Sequence, residues 1–250
     1  MDLHLQGKTL LVTGAAKRIG RAIALASARV GANIALHYRG SAEEATQTAA
    51  EIKELGVKVC LVRADIASLA EVKVMKEVID AELGGVDFIV NNAGYAKMKP
   101  FFQYEPDEWK PEVDACFYGV VNLAHTFVPD MITKQLGKFI NIVGDSARTG
   151  DRHLIISAAA RNGAISFLKS LANDVGRSNI QCNTVALGLI DQGEVTFDEA
   201  TIGKIVKQYP LNRLGKPDDV TSMILFLLSD GADWITGQVF SVNGGHSMLG

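Results

Sequence analysis

The chain has 250 residues, 48% of them hydrophobic, and a formal net charge of −3. That length suits one α/β domain with a substantial buried core, and the small charge without any Lys or Arg run excludes a nucleic-acid footprint. Met1-Asp2-Leu3-His4-Leu5-Gln6-Gly7-Lys8 lacks the cationic and long apolar segments of a secretory signal, and apolar runs such as Met223-Ile224-Leu225-Phe226-Leu227-Leu228 fall far short of the roughly 20 residues of a membrane span. Cys60, Cys116 and Cys182 stand apart without CxxC spacing, so reduced thiols in a cytoplasmic protein are expected, with no metal site and no disulfide framework.

Taken in chain order, short β-rich runs alternate with longer amphipathic ones. A strand at 9–12 precedes a helix at 18–30, a strand at 33–38 a helix at 42–55, and a strand at 57–62 a helix at 69–83. Strands at 88–91, 139–143 and 180–185 are followed by helices at about 107–134, 155–175 and 217–228, and a last strand covers 238–242. Strands that are apolar almost throughout are buried on both faces, as in a parallel sheet covered by helices. Right-handed crossovers then predict an α/β, single-domain Rossmann fold over 1–250, a doubly wound seven-stranded parallel sheet with ligands at the carboxyl ends of its strands. Residues 188–198 lack periodicity and read as a mobile loop over the site, within a substrate-loop region at about 188–212.

Thr13-Gly14-Ala15-Ala16-Lys17-Arg18-Ile19-Gly20 follows the first strand and opens the first helix. Glycine lets the backbone turn tightly toward a pyrophosphate, and the helix amino terminus offers free N–H groups. With Asn91-Asn92-Ala93-Gly94 after the fourth strand, Ala64-Asp65-Ile66 after the third, and the segments 213–220 and 235–245, this loop resembles the signatures of the short-chain dehydrogenases/reductases, in order and along nearly the whole chain. Arg18 stands where that family usually has its middle glycine. The resemblance implies nicotinamide-nucleotide contacts from Gly14, Lys17, Arg18, Ile19, Gly20, Tyr38, Arg39, Asp65, Ile66, Asn92, Ala93 and Gly94. A carboxylate at the end of the second strand would suit NAD; here Tyr38 takes that position, and Lys17 and Arg39 could bracket a 2′-phosphate. NADP(H) is therefore the cofactor expected, if any binds, against the alternative of two solvated surface cations.

The same resemblance locates the reaction centre. The family uses a Tyr to pass the proton, a Lys four residues on to lower its pKa, a Ser to hydrogen-bond the reacting oxygen and an Asn to complete the relay. Ile140-Asn141-Ile142-Val143-Gly144 resembles the serine strand with Gly144 at the serine, and Ser157-Ala158-Ala159-Ala160-Arg161 resembles the Tyr-x-x-x-Lys helix. Ser157 thus replaces the tyrosine, Arg161 the lysine, and in Asp114-Ala115-Cys116-Phe117-Tyr118-Gly119 Cys116 replaces the asparagine. An aliphatic hydroxyl is a far weaker acid than a phenol, guanidinium cannot relay a proton by deprotonating, and Gly144 offers no oxyanion donor. A general acid contributes roughly 10²–10⁴ in rate and an oxyanion donor about 10²–10³. No catalytic residue is therefore assigned. Asp145, Ser146, His153 and Tyr118 are the nearby groups that could substitute, and Arg148 could meet an anionic substrate. Leu187 and Gln192 break the family's Pro-Gly-x-x-x-Thr motif, which otherwise binds the nicotinamide carboxamide.

Three readings stay open. The first is a noncatalytic subunit pairing with an active, homologous short-chain dehydrogenase, one that oxidises a hydroxyacyl-CoA, because Asp145-Ser146-Ala147-Arg148 resembles acyl-CoA-oxidising members. A hetero-oligomer or homo-oligomer would form through the two long helices, with Ala158, Ala159, Ala160 and Gly163 permitting close approach. The second is an active NADP(H)-dependent carbonyl/alcohol oxidoreductase with a relocated proton donor. The third is a binding protein that senses NADP(H).

Overall fold

The apolar runs pair edge to edge in the computed structural model, which describes residues 3–193 and 198–249. In chain order the elements are β1 (Thr9–Thr13), α1 (Arg18–Arg29), β2 (Asn33–Tyr38), α2 (Ala42–Glu54), β3 (Val59–Arg63), α3 (Leu69–Leu83) and β4 (Phe88–Asn91). There follow α4 (Trp109–Val113), α5 (Gly119–Lys134), β5 (Gly137–Gly144), α6 (Ser146–Thr149), α7 (Ile155–Val175), β6 (Ile180–Leu187), α8 (Glu199–Val206), α9 (Pro217–Leu228) and β7 (Val239–Val242). All seven strands are parallel in the order β3-β2-β1-β4-β5-β6-β7. The doubly wound Rossmann architecture expected from the strand pattern is the one observed.

Strand alternation divides the core. Leu10 and Val12 of β1, with Ile34 and Leu36 of β2, pack under α1, α2 and α9, whereas Leu11 and Ala35 face α3, α5 and α7. The winding reverses between β1 and β4, so a crevice opens at their carboxyl ends, where this class of sheet holds ligands.

Two expectations need correction. Residues 107–134 do not form one α-helix: Asp114–Tyr118 make a π-helical turn, the Gly119 N–H reaching back to the Asp114 carbonyl, between α4 and α5. One inserted residue leaves the apolar period on either side intact, so the pattern carries no mark of it. The small-residue stripe of α7 is mostly consumed internally, since Ala158 and Ala160 are buried and a Cβ on Gly163 would meet the Phe117 ring at 3.3 Å. In the region read as a substrate loop, the Leu189 N–H donates to the Tyr209 hydroxyl, and the Asp191 N–H to the Gly215 carbonyl, both at 2.8 Å. Beyond them α8 occupies part of the region read as loop, its amino terminus capped by the Asp198 carboxylate accepting from the Thr201 N–H. Residues 194–197 of the expected mobile loop lie outside the described residues.

Candidate functional site

Residues at the carboxyl ends of β1, β4 and β5 bind one another through a buried polar ladder. Thr13 Oγ1 donates to Asn91 Oδ1 at 2.6 Å, Asn91 Nδ2 donates to Asn141 Oδ1 at 2.8 Å, and Thr13 Oγ1 accepts from the Asn92 and Ala93 N–H groups. Asn92 Nδ2 donates in turn to the carbonyls of Thr13 and Gly14. The Asn-Asn-Ala-Gly segment therefore braces the glycine loop. Within that loop Gly14 has φ +62°, and a Cβ at Gly20 would sit 2.1 Å from the Gly14 carbonyl oxygen, so no larger residue fits there. Arg18 takes φ +57° at the position of the family's glycine, a left-handed conformation disfavoured for a side-chain-bearing residue.

Beside the loop lies a cleft of about 360 Å³, within the range of small-molecule sites. It is lined by Gly14, Lys17, Tyr38, Arg39, Asp65, Ile66, Ala93 and Gly94 of the expected contacts. Arg18, Ile19, Gly20 and Asn92 are not in its wall: Arg18 is exposed at the start of α1, Gly20 packs on Gly14, Asn92 braces the loop, and the Ile19 N–H donates to Gln192 Oε1 at 3.4 Å. The cleft also has walls the motif comparison missed, namely Ala16, His37, Gly40, Ser41, Ala64, Tyr95 and Ala115. His37 is the most informative of these. Its buried ring accepts the Gly14 N–H on Nδ1 at 3.1 Å and, from Nε2, donates to the Ala64 carbonyl at 3.0 Å, an arrangement that requires the neutral imidazole. Burial pushes its pKa below the ordinary 6.5, outweighing the upward pull of the Ala64 hydrogen bond and Asp65.

Lys17 and Arg39 each face a carboxylate across an exposed gap, Glu44 at 3.6 Å and Asp65 at 3.5 Å. Near them the first turn of α2 begins at Ser41, whose side chain makes no capping bond to the helix. Two cations and a hydroxyl thus gather at one end of the cleft.

Two of the four expected reaction-centre positions, Cys116 and Arg161, line a second, much smaller space. Arg161, Cys116, Asn91, Asn92, Ala93, Gly94, Asn141 and Ile142 enclose about 20 Å³, room for one water molecule and not for an aromatic ring. The Arg161 guanidinium reaches across it, Nη2 lying 3.2 Å from where a Cβ would stand on Gly94, and no hydrogen bond or ion pair joins it to another described residue. Ser157 is fully buried, its hydroxyl donating to the Leu154 carbonyl at 3.2 Å. Cys116 sits in the π turn with its thiol donating to the Tyr95 carbonyl at 3.1 Å. A Cβ on Gly144 would be 3.3 Å from Ser146 Oγ. The large cleft has the volume and the walls for the adenosine half of a nicotinamide dinucleotide.

Two of the nearby charged groups are held by the carboxyl-terminal segment. Asp145 Oδ2 accepts from Asn243 Nδ2 at 2.7 Å and from the Ser247 hydroxyl, and Arg148 donates to Ser241 Oγ and the Leu249 carbonyl, so both hold the carboxyl-terminal segment. The His153 carbonyl accepts the Lys99 N–H, and Tyr118 is exposed on the outer surface. Of the five tyrosines, Tyr38 and Tyr95 line the large cleft and Tyr209 supports residue 189. Tyr104 donates to the Lys97 carbonyl beside Glu112, burial pushing its phenol up to about 12. Cys60 and Cys182 are likewise buried, and desolvation pushes both thiols up to about 12. Among the described residues no group of three His, Cys, Asp or Glu side chains could hold a metal ion, and no helix is long and apolar enough to cross a membrane.

Comparison with known proteins agrees with this architecture. A family model described as enoyl-(acyl carrier protein) reductase matches residues 14–247. The chain is 35% identical over 243 residues to a 3-oxoacyl-(acyl-carrier-protein) reductase of Staphylococcus aureus, covering 96% of this chain and 98% of that one. It is 34% identical over 247 residues to nodulation protein G of Rhizobium meliloti, covering 98% and 99% of the two chains. Among solved structures, a candidate gluconate dehydrogenase from Agrobacterium tumefaciens superposes with a TM-score of 0.93 at 26% identity, covering all of both chains. The chain belongs to the short-chain dehydrogenase/reductase family of oxidoreductases.

Proposed function

We propose that this chain is a noncatalytic member of its family, a subunit that pairs with an active homologous dehydrogenase acting on a hydroxyacyl-CoA. The observation that carries the reading is Ser157, fully buried where the family has its tyrosine, with its hydroxyl already donated to the Leu154 carbonyl. With Gly144, Ser157 and Cys116 at the other positions, the chain supplies neither a phenol nor an oxyanion donor from the family's places, and no hydride step is assigned to it. Tyr38, Lys17 and Arg39 favour NADP(H) over NAD as the nucleotide at the large cleft. The arrangement this resembles is the two-subunit enzyme of anaerobic toluene degradation that oxidises 2-(hydroxy(phenyl)methyl)succinyl-CoA with one inactive and one active chain.

The test is turnover by the purified chain with NADPH and NADH against 3-oxoacyl-CoA and 3-hydroxyacyl-CoA substrates. Background rates are expected alone. The variant Ser157→Tyr/Arg161→Lys/Gly144→Ser/Cys116→Asn is expected to raise them by at least about 100-fold, the contribution of a restored general acid. Ready turnover by the unaltered chain would overturn the reading.

A second reading, an active reductase, is supported by the printed activities of the acyl-carrier-protein-directed relatives and by Ser146, whose hydroxyl lies close to where a Gly144 side chain would begin. It predicts turnover abolished by Ser146→Ala.

A further inference from the structure

We infer that the large cleft is a site for an adenosine bisphosphate, with one phosphate on the ribose and one at the 5′ position, and that the second half of a dinucleotide adds nothing to its binding. The inference uses the cleft as a nucleotide site, as above, but does not depend on whether the chain turns substrate over.

The cleft and the small enclosed space meet at Ala93 and Gly94, which border both. On one side there is room for a nucleoside, with Asp65 and Ile66 at the end of β3 and Tyr38 at the end of β2. At its cationic end, Lys17, Arg39 and the uncapped Ser41 hydroxyl border a position suited to a ribose phosphate, with Glu43 and Glu44 of the first turn of α2 nearby. The carboxylates that face these cations do so at 3.5 Å or more and in solvent, so a dianionic phosphate displaces them at little cost. On the other side, two side chains stand in the path to a nicotinamide subsite. Arg161 lies across the Gly94 backbone, and Gln192 Oε1 takes the Ile19 N–H, one of the amides at the α1 amino terminus that a bridging diphosphate would use. A mononucleotide with two separate phosphates needs neither of these positions.

Ribose phosphates of this kind occur in two chemistries, a 2′-phosphate as in NADP(H) and a 3′-phosphate as in coenzyme A, and the experiment separates them. Calorimetric titration of the full chain would use adenosine 2′,5′-bisphosphate, adenosine 3′,5′-bisphosphate, AMP and NADP⁺. At least one bisphosphate is expected to bind tenfold or more tightly than AMP and within about threefold of NADP⁺, and the preferred isomer names the source. Arg39→Ala is expected to remove the advantage over AMP, and Arg161→Gly to tighten NADP⁺ tenfold or more while leaving the bisphosphates unchanged. NADP⁺ binding tenfold tighter than both bisphosphates in the unaltered chain would overturn the inference, as would bisphosphates no better than AMP. Should Arg161→Gly fail to fold, the ligand ratios of the unaltered chain decide the matter. Turnover in the separate activity assay, with these ratios intact, would remove the noncatalytic reading and leave this one standing.

Discussion

His37 ties the glycine loop to the end of β3 through both ring nitrogens, and only its neutral form can do so. Because burial holds its folded pKa below 6.5, the folded chain refuses a proton that the unfolded chain accepts. Stability is therefore fully present above pH 6.5 and declines as pH falls from 6.5 through the depressed value, with a slope of at most about 1.4 kcal/mol per pH unit from this one group. Asp65 and Arg39, the charged groups acting on the ring, pull in opposite directions. Urea unfolding of the unaltered chain and of His37→Asn between pH 7.5 and 5, as trial conditions, checks this: the variant is expected to lose that part of the slope, and identical slopes would remove His37 from the account. No sequence motif announced His37. Its neighbours Tyr38 and Arg39 drew the eye because they occupy the strand end that selects the cofactor, whereas the histidine acts on a loop 23 residues earlier.

At the scale of elements, β5 carries both a reaction-centre position and a structural clamp. Lys138 is buried, and its ammonium donates to the Ser229 carbonyl at 2.7 Å and to Asp233 at 2.6 Å, fastening the strand to the segment after α9. The Asp233 side chain is 54% exposed, so the pair is weaker than the fully buried pairs whose disruption costs several kcal/mol. Asp233→Asn is expected to cost about 1–2 kcal/mol in denaturant midpoints, and a loss under half of the lower figure would show that the Ser229 carbonyl alone satisfies the lysine. Elements were the most legible level of the sequence: strands β2 and β4 and helices α3, α7 and α9 have the boundaries that their periodicity predicts. The π turn at Asp114–Tyr118 and the short helices α6 and α8 were not legible, because a single extra residue or one to two turns of helix leave too little periodic signal to distinguish from loop.

The molecule as a whole leaves apolar surface where a partner subunit would sit. Trp109 and Tyr118 flank a groove along α4, the π turn and α5, and Trp234 projects fully into solvent near the carboxyl end, with Met248 also exposed. If the pairing proposed here uses the long-helix face, Tyr118→Glu is expected to weaken association with the active homologous subunit at least tenfold in sedimentation equilibrium, since it buries a charge in an apolar contact; unchanged association would exclude that face. The sequence alone determined the sheet and its winding, because periodicity and glycine spacing are local, while the assignment of Cys116, Gly144, Ser157 and Arg161 to catalytic positions rests on the family resemblance. Tertiary structure alone decided which space stays open. Gln192 meets Ile19 across 173 residues, Asp145 meets Asn243 across 98, and Arg161 fills the place beside Gly94, contacts set by how side chains reach between elements that the sequence does not bring near one another.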